Sequence, residues 1–151
     1  MSTNEVGGLL YTVTLNITGM KEYGVSFAAW TAGEVTPPVE GARFDVAFEG
    51  KATGPKLNGA AEGIDYVRVR ADGSFELHIH ETIRTEDGQN ISAHGDGVAI
   101  LRPEGGVADV DVRMTLFSSS NDYTSLNRVP VRGIGTLDQD KQVIQVSAYA
   151  A

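Results

Sequence analysis

The sequence predicts an all-β chain folded as an antiparallel up-and-down β-barrel of about eight to ten strands around an interior ligand cavity. Three observations predict it. Apolar and polar residues alternate with a period of two through most of the chain, the mark of strands with one buried face. Asp72-Gly73 and Asp87-Gly88 each stand between two alternating runs, and glycine accepts the positive φ that tight hairpin turns require. No stretch of ten residues carries a helical repeat, and glycine turns recur at short spacing. Closure is favoured over an open sheet because it leaves no unpaired edge.

The elements follow in order. Residues 1–8 read as a disordered lead-in, and 9–151 as a single barrel domain. The run from Leu9 to Thr18 puts Leu9, Tyr11, Val13, Leu15 and Ile17 on one face and threonines and Asn16 on the other. Tyr23 to Thr31 repeats the alternation and is expected as a second strand. Pro37-Pro38 marks a stiff loop, since proline cannot donate to a sheet ladder. Ala42 to Glu49 is a strand with Phe44, Val46 and Phe48 together. Gly50 to Gly63 is turn-rich, with a short strand near Leu57. Three strands then span Ile64 to Gly97, joined by the two Asp-Gly turns. Ala108 to Phe117 follows the Pro103 to Gly106 turn, and Asn127 to Leu137 with Gln142 to Tyr149 forms a closing hairpin.

Composition narrows the function. Twelve Lys and Arg stand against 20 Asp and Glu, a formal charge of −8. That balance opposes nucleic acid and anionic membrane as partners, because both are bound through basic patches. The absence of cysteine removes disulfides, thiolate nucleophiles and thiolate metal sites. No apolar run reaches membrane-spanning length and the N-terminus carries no export pattern, so a cytoplasmic protein is expected. A homo-oligomer, a dimer first, is expected from the frequency of two-fold assemblies.

Several segments together resemble one family. Gly54 to Tyr66 (GPKLNGAAEGIDY), VRADGSFELH, IRTEDGQNI, YTSLN at Tyr123 to Asn127, and Gly133-x-Gly135 are similar, in order and spacing, to the domain of unknown function 3237 family. The resemblance runs from about Ala42 to Tyr149 and implies a single-domain antiparallel β-barrel with no assigned activity. Asp65, Thr85, Asp87-Gly88, Tyr123 and Leu126-Asn127 match its recurrent positions. His80 stands where the family often has arginine, Tyr66 where tryptophan is frequent, and His78 where an acidic residue is common.

The chemistry-bearing residues concentrate on the middle of the three strands. His78 and His80, two apart, share one face. Either they point into the cavity as acid–base groups, or Glu76, His78, His80, Thr82 and Arg84 form the outer face while Phe75, Leu77, Ile79 and Ile83 fill the interior. His94 depends on register. A two-residue Asp87-Gly88 loop sets it away from the pair; a Glu86-Asp87-Gly88 loop sets it opposite His80, with three histidines on one face. Asp65 is either a turn-capping residue or a base inside the barrel. Asn127 and Tyr123 are candidates to hold a substrate oxygen, Trp30 and Tyr66 to line an apolar pocket, and Arg113, if inward, to bind a carboxylate or enolate.

These residues suggest an enzyme performing proton transfer, of isomerase, cyclase, hydratase or lyase type, on an apolar carbonyl or aromatic, polyketide-like compound. His80 and His78 with Asp65 would be catalytic. No cofactor and no metal is expected. The alternative is a lipocalin-like barrel that only binds a hydrophobic small molecule.

Overall fold

The computed structural model describes residues 7–36 and 38–151. It is a closed barrel of eight antiparallel strands in sequential order. They are β1 (Leu9–Glu22), β2 (Ala42–Thr53), β3 (Gly59–Val69), β4 (Phe75–Thr85), β5 (Asn90–Leu101), β6 (Val107–Phe117), β7 (Val131–Asp138) and β8 (Val143–Ala150). Each strand pairs with the next, and β1 pairs with β8 from Leu9 opposite Tyr149 to Asn16 opposite Val143. The expected up-and-down barrel is therefore present, at the lower end of the expected strand number. Residues 1–6 of the expected lead-in, and Pro37, lie outside the described residues.

One expected strand is a helix. Tyr23 to Thr31 does not continue the sheet; Phe27–Thr31 forms the short helix α1. Ser26 caps it, its hydroxyl accepting from the Ala29 amide at 3.2 Å. Alternation misled here because Phe27 and Trp30, three apart, share a face of a helical turn as readily as alternate residues share a strand face. The expected short strand near Leu57 is a loop that buries Leu57. Asn127 belongs to a 3-10 turn over Thr124–Arg128, and β7 begins only at Val131.

The two barrel ends differ. One is filled by Leu10, Leu57, Ile83, Ile91, Leu116 and Leu126, all buried. The other is covered by α1. Phe27 meets Phe44 edge-on with ring centres 5.1 Å apart, and Trp30 meets Phe75 at 5.0 Å. Between them lies the cavity.

Close strand approaches depend on glycine, as Gly63 and Gly135 illustrate. A Cβ on Gly63 of β3 would lie 2.1 Å from the His80 carbonyl oxygen, and one on Gly135 of β7 would lie 1.9 Å from that of Gln145. Both contacts are to backbone, which cannot swing aside. Gly63→Ala is therefore expected to destabilise the barrel by about 2 kcal/mol or more, measured by urea unfolding; an unchanged midpoint would show that β3 and β4 can separate there at little cost.

Candidate active site

The residues lining the cavity are apolar with three exceptions. The cavity, of about 80 Å³, is walled by residues such as Val13, Leu15, Phe48, Leu77, Met114 and Val146, with Phe27 at the mouth. Into it project Tyr11 from β1, Asp65 from β3 and Glu81 from β4. The side-chain period of two dictates this. On β4, Phe75, Leu77, Ile79, Glu81, Ile83 and Thr85 share the inner face, so Glu81 occupies an apolar position in the pattern. On β3, Asp65 alternates with Ala61, Val67 and Val69 in the same way.

The two carboxyls are 8% and 5% exposed. Burial pushes Asp65 up from its ordinary value to about 7, although the His78 amide donates to its Oδ1 at 3.0 Å and opposes the rise. Burial alone pushes Glu81 up to about 7. Among the described residues no hydrogen-bond donor reaches Glu81. The Tyr11 hydroxyl is buried without a hydrogen-bond partner, and burial with the nearby Glu81 charge raises its pKa, so it stays protonated. The site thus holds two acids poised near neutrality and one phenol that keeps its proton and has a hydrogen bond to give.

The histidines lie elsewhere. Thr85 N donates to Gln89 O and Gly88, at φ +87°, closes the turn, so the three-residue register holds and His80 pairs with His94. All three histidines share one face, but it is the outer one. His94 Nε2 lies 3.0 Å from His80 Nδ1, and His80 Nε2 lies 3.2 Å from His78 Nε2. His78 Nδ1 is bonded to the Asp96 carboxylate, and Tyr66 stands edge-on to His80 at 5.6 Å. Partial burial, then the neighbouring His94 and His78 rings, hold His80 below the usual imidazole value. Placing His78 and His80 in the cavity is corrected on this point: their strand turns Leu77, Ile79 and Glu81 inward, and residues two apart cannot change sides separately. Among the described residues no group of three or more His, Cys, Asp or Glu stands where it could hold a metal ion.

The other candidates also lie off the cavity. Asn127 Nδ2 donates to Ser118 O and its Oδ1 accepts from Ser118 N, both at 2.8 Å, so its amide is used in holding the loop after β6. The Tyr123 hydroxyl donates to Asp87 at 3.0 Å, tying that loop to the β4–β5 turn. Tyr66 and Arg113 face outward, and Trp30 packs behind Phe27 at the mouth. Of the residues singled out by sequence, only Asp65 reaches the cavity. Glu81 and Tyr11 were missed, although the period of two that assigns Leu77 and Ile79 inward assigns Glu81 with them.

The sequence profile of the family described as Protein of unknown function (DUF3237) matches residues 33–150. The chain belongs to this family. No curated protein matches this DUF3237 chain. Among solved structures it is similar to a β-barrel-like protein from Acinetobacter baumannii AYE, with 18% identity, TM-score 0.76, and 96% of this chain and 94% of that one covered. A protein of unknown function from Clostridium acetobutylicum ATCC 824 is similar at 19% identity and TM-score 0.74, over 94% and 96% of the two chains. An enzyme from Penicillium herquei is similar at 19% identity and TM-score 0.62, over 99% and 98%. At these identities the likeness establishes the shared barrel. No helix among the described residues is long and apolar enough to cross a membrane.

Two predictions follow from the placement of these groups. The Glu81 carboxyl holds a proton in the folded state up to about pH 7 and loses it near its ordinary value of 4.5 when unfolded. The folded state therefore binds more protons between those values, and stability falls as pH rises through that window. Glu81→Gln is expected to leave stability near pH 4 almost unchanged and to raise it at pH 8 by roughly 3 kcal/mol, measured by thermal or urea unfolding at both pH values. His80→Gln, on the outer face, is expected to shift stability by less than about 0.5 kcal/mol and to leave ligand binding in the barrel unaltered.

Proposed function

We propose that this DUF3237 barrel is an acid–base enzyme that moves protons on an apolar carbonyl or aromatic compound held in the cavity. The observation that carries this reading is the pair of buried carboxyls, Asp65 and Glu81, beside the unpartnered Tyr11 hydroxyl in an otherwise apolar interior. Burying two carboxyls without a cation costs stability, and a hydrocarbon side chain at either position would fill the barrel better. Buried carboxyls of this kind, sitting in a cleft, are candidates for a functional site. The description of one fold relative, from Penicillium herquei, as an enzyme supports the same reading.

The environments divide the labour. The His78 amide favours the ionised form of Asp65, which suits it to take a proton from carbon beside a carbonyl. Glu81 has nothing to stabilise its charge, which suits it to hold a proton and deliver it to oxygen or carbon. Tyr11 donates a hydrogen bond to the oxygen on which charge develops. Proton removal at one point and return at another is an isomerisation; with a neighbouring hydroxyl or phenol as nucleophile or leaving group the same groups serve cyclisation or elimination, and with water as nucleophile they serve hydration. The histidines take no part in this chemistry.

The cavity is far smaller than the ~300 Å³ lower range of drug-sized sites. A multi-ring substrate would have to displace Phe27 and α1 at the mouth. The lipocalin-like alternative, binding without turnover, shares the cavity and differs in the consequence of carboxyl replacement.

The test begins with a thermal-shift screen of hydrophobic ketones, aldehydes and phenols. On a compound that is turned over, Asp65→Asn and Glu81→Gln are each expected to lower kcat by about 10²–10⁴ with affinity kept within a few-fold. The wild-type rate profile is expected to bend near pH 7, where both carboxyls titrate, and to lose one bend in each variant. Full activity in both variants would return the barrel to a binding role or move the chemistry elsewhere.

A further inference from the structure

We infer that the cavity selects against charge, taking uncharged oxygen-bearing apolar compounds such as ketones, aldehydes and phenols and rejecting carboxylate or phosphate anions of the same skeleton. The inference rests on reading the cavity as the proton-transfer site and adds the class of substrate that can enter it.

The argument comes from what lines the cavity. Its oxygen-bearing side chains are Tyr11, Asp65 and Glu81; no Lys, Arg, His, Asn, Gln, Ser or Thr is among its lining residues. Arg68 and Arg84, on the two strands that carry the carboxyls, and Arg113 on β6 all point outward. An anion entering the barrel would lose its water and find no cation in return. It would also meet two carboxyls whose ionisation it opposes. A phosphate or a coenzyme-linked acyl group would suffer both penalties more strongly.

A neutral oxygen finds complementary partners. A carbonyl can accept from the Tyr11 hydroxyl, which has no partner in the protein, and from a protonated Glu81 or Asp65. A phenol can donate to either carboxyl when that carboxyl is ionised. In each case the ligand takes up hydrogen-bonding capacity that otherwise goes unused in an apolar interior. The wall itself matches a hydrocarbon ring, with Met20 and Met114 able to adapt to its outline. The reaction that supplies such a substrate must leave it without a free acid group, and one that consumes the product must accept a neutral compound.

Acetophenone and benzoate test this with one ring and different charge. Protein with isotope-labelled methionine methyls reports binding inside the barrel, because Met20 and Met114 line the cavity. At pH 8, acetophenone is expected to shift both methyl signals and to bind about 30-fold or more tightly than benzoate. In Asp65→Asn/Glu81→Gln the preference is expected to shrink to within a few-fold. If the double variant does not fold, judged by lost signal dispersion, Glu81→Gln alone is expected to reduce the preference several-fold. Benzoate binding as tightly as acetophenone would overturn the inference and leave the proton-transfer reading standing. An undiminished preference in the folded variants would show that the carboxyls are not its source and would overturn it too. If neither probe shifts the methyls, even in Phe27→Ala with its widened mouth, the cavity is not a ligand site and both readings fail.

Discussion

The pairing of β1 with β8 is the contact on which the rest of the molecule depends. It closes the sheet, so every backbone edge is paired and the inner faces of all eight strands meet around one axis. Once the sheet is closed, inside and outside are fixed by the parity of each residue along its strand, except on β1, where two register shifts change the phase. A carboxyl at an even or odd position becomes buried or exposed as a consequence of closure, not of its own chemistry. Asp65 and Glu81 are charged residues at interior parity; His78 and His80 are polar residues at exterior parity.

Much of the fold was legible for this reason. Alternation on β1, β2, β4 and β6 and the Asp-Gly turns locate those strands, and neighbouring hairpins imply the up-and-down order. The segment around Phe27 was not legible, because alternation over so few residues does not separate a short strand from a five-residue helix. The hairpin register at Asp87-Gly88 was also undetermined, since two- and three-residue loops both suit an Asp-Gly turn. The hydrogen bond from Thr85 N to Gln89 O, made in the folded hairpin, selects between them.

The candidate site was half legible. Asp65 could be singled out as an acidic residue in a strand context. Attention to the histidines obscured Glu81, because imidazole is the familiar neutral-pH proton carrier while a glutamate in a strand reads as solvent-facing. Yet parity had already placed the histidines with Glu76, Thr82 and Arg84, all polar, and Glu81 with Leu77, Ile79 and Ile83, all apolar. A single charged residue on an otherwise apolar face carries more functional information than three polar residues on a polar face. Tyr11 was hidden differently: tyrosine in a buried strand is ordinary core, and only the lack of a partner for its hydroxyl distinguishes it.

The same parity explains how one strand serves two environments without mixing them. β4 carries two of the three exposed histidines and, next to His80, the buried Glu81 carboxyl, separated by the thickness of a single sheet. Its backbone also links the sides, since the amide of His78 donates to Asp65. That bond is the sole hydrogen bond to either carboxyl among the described residues, and it comes from the main chain, so no outer-face side-chain replacement removes its donor. The asymmetry between Asp65, which has a fixed donor, and Glu81, which has none, is therefore built into a break in the β3–β4 ladder, where the His78 amide turns to the Asp65 side chain. Two acids in one apolar chamber would otherwise be alike. The backbone makes one of them the better holder of charge and leaves the other the better holder of a proton.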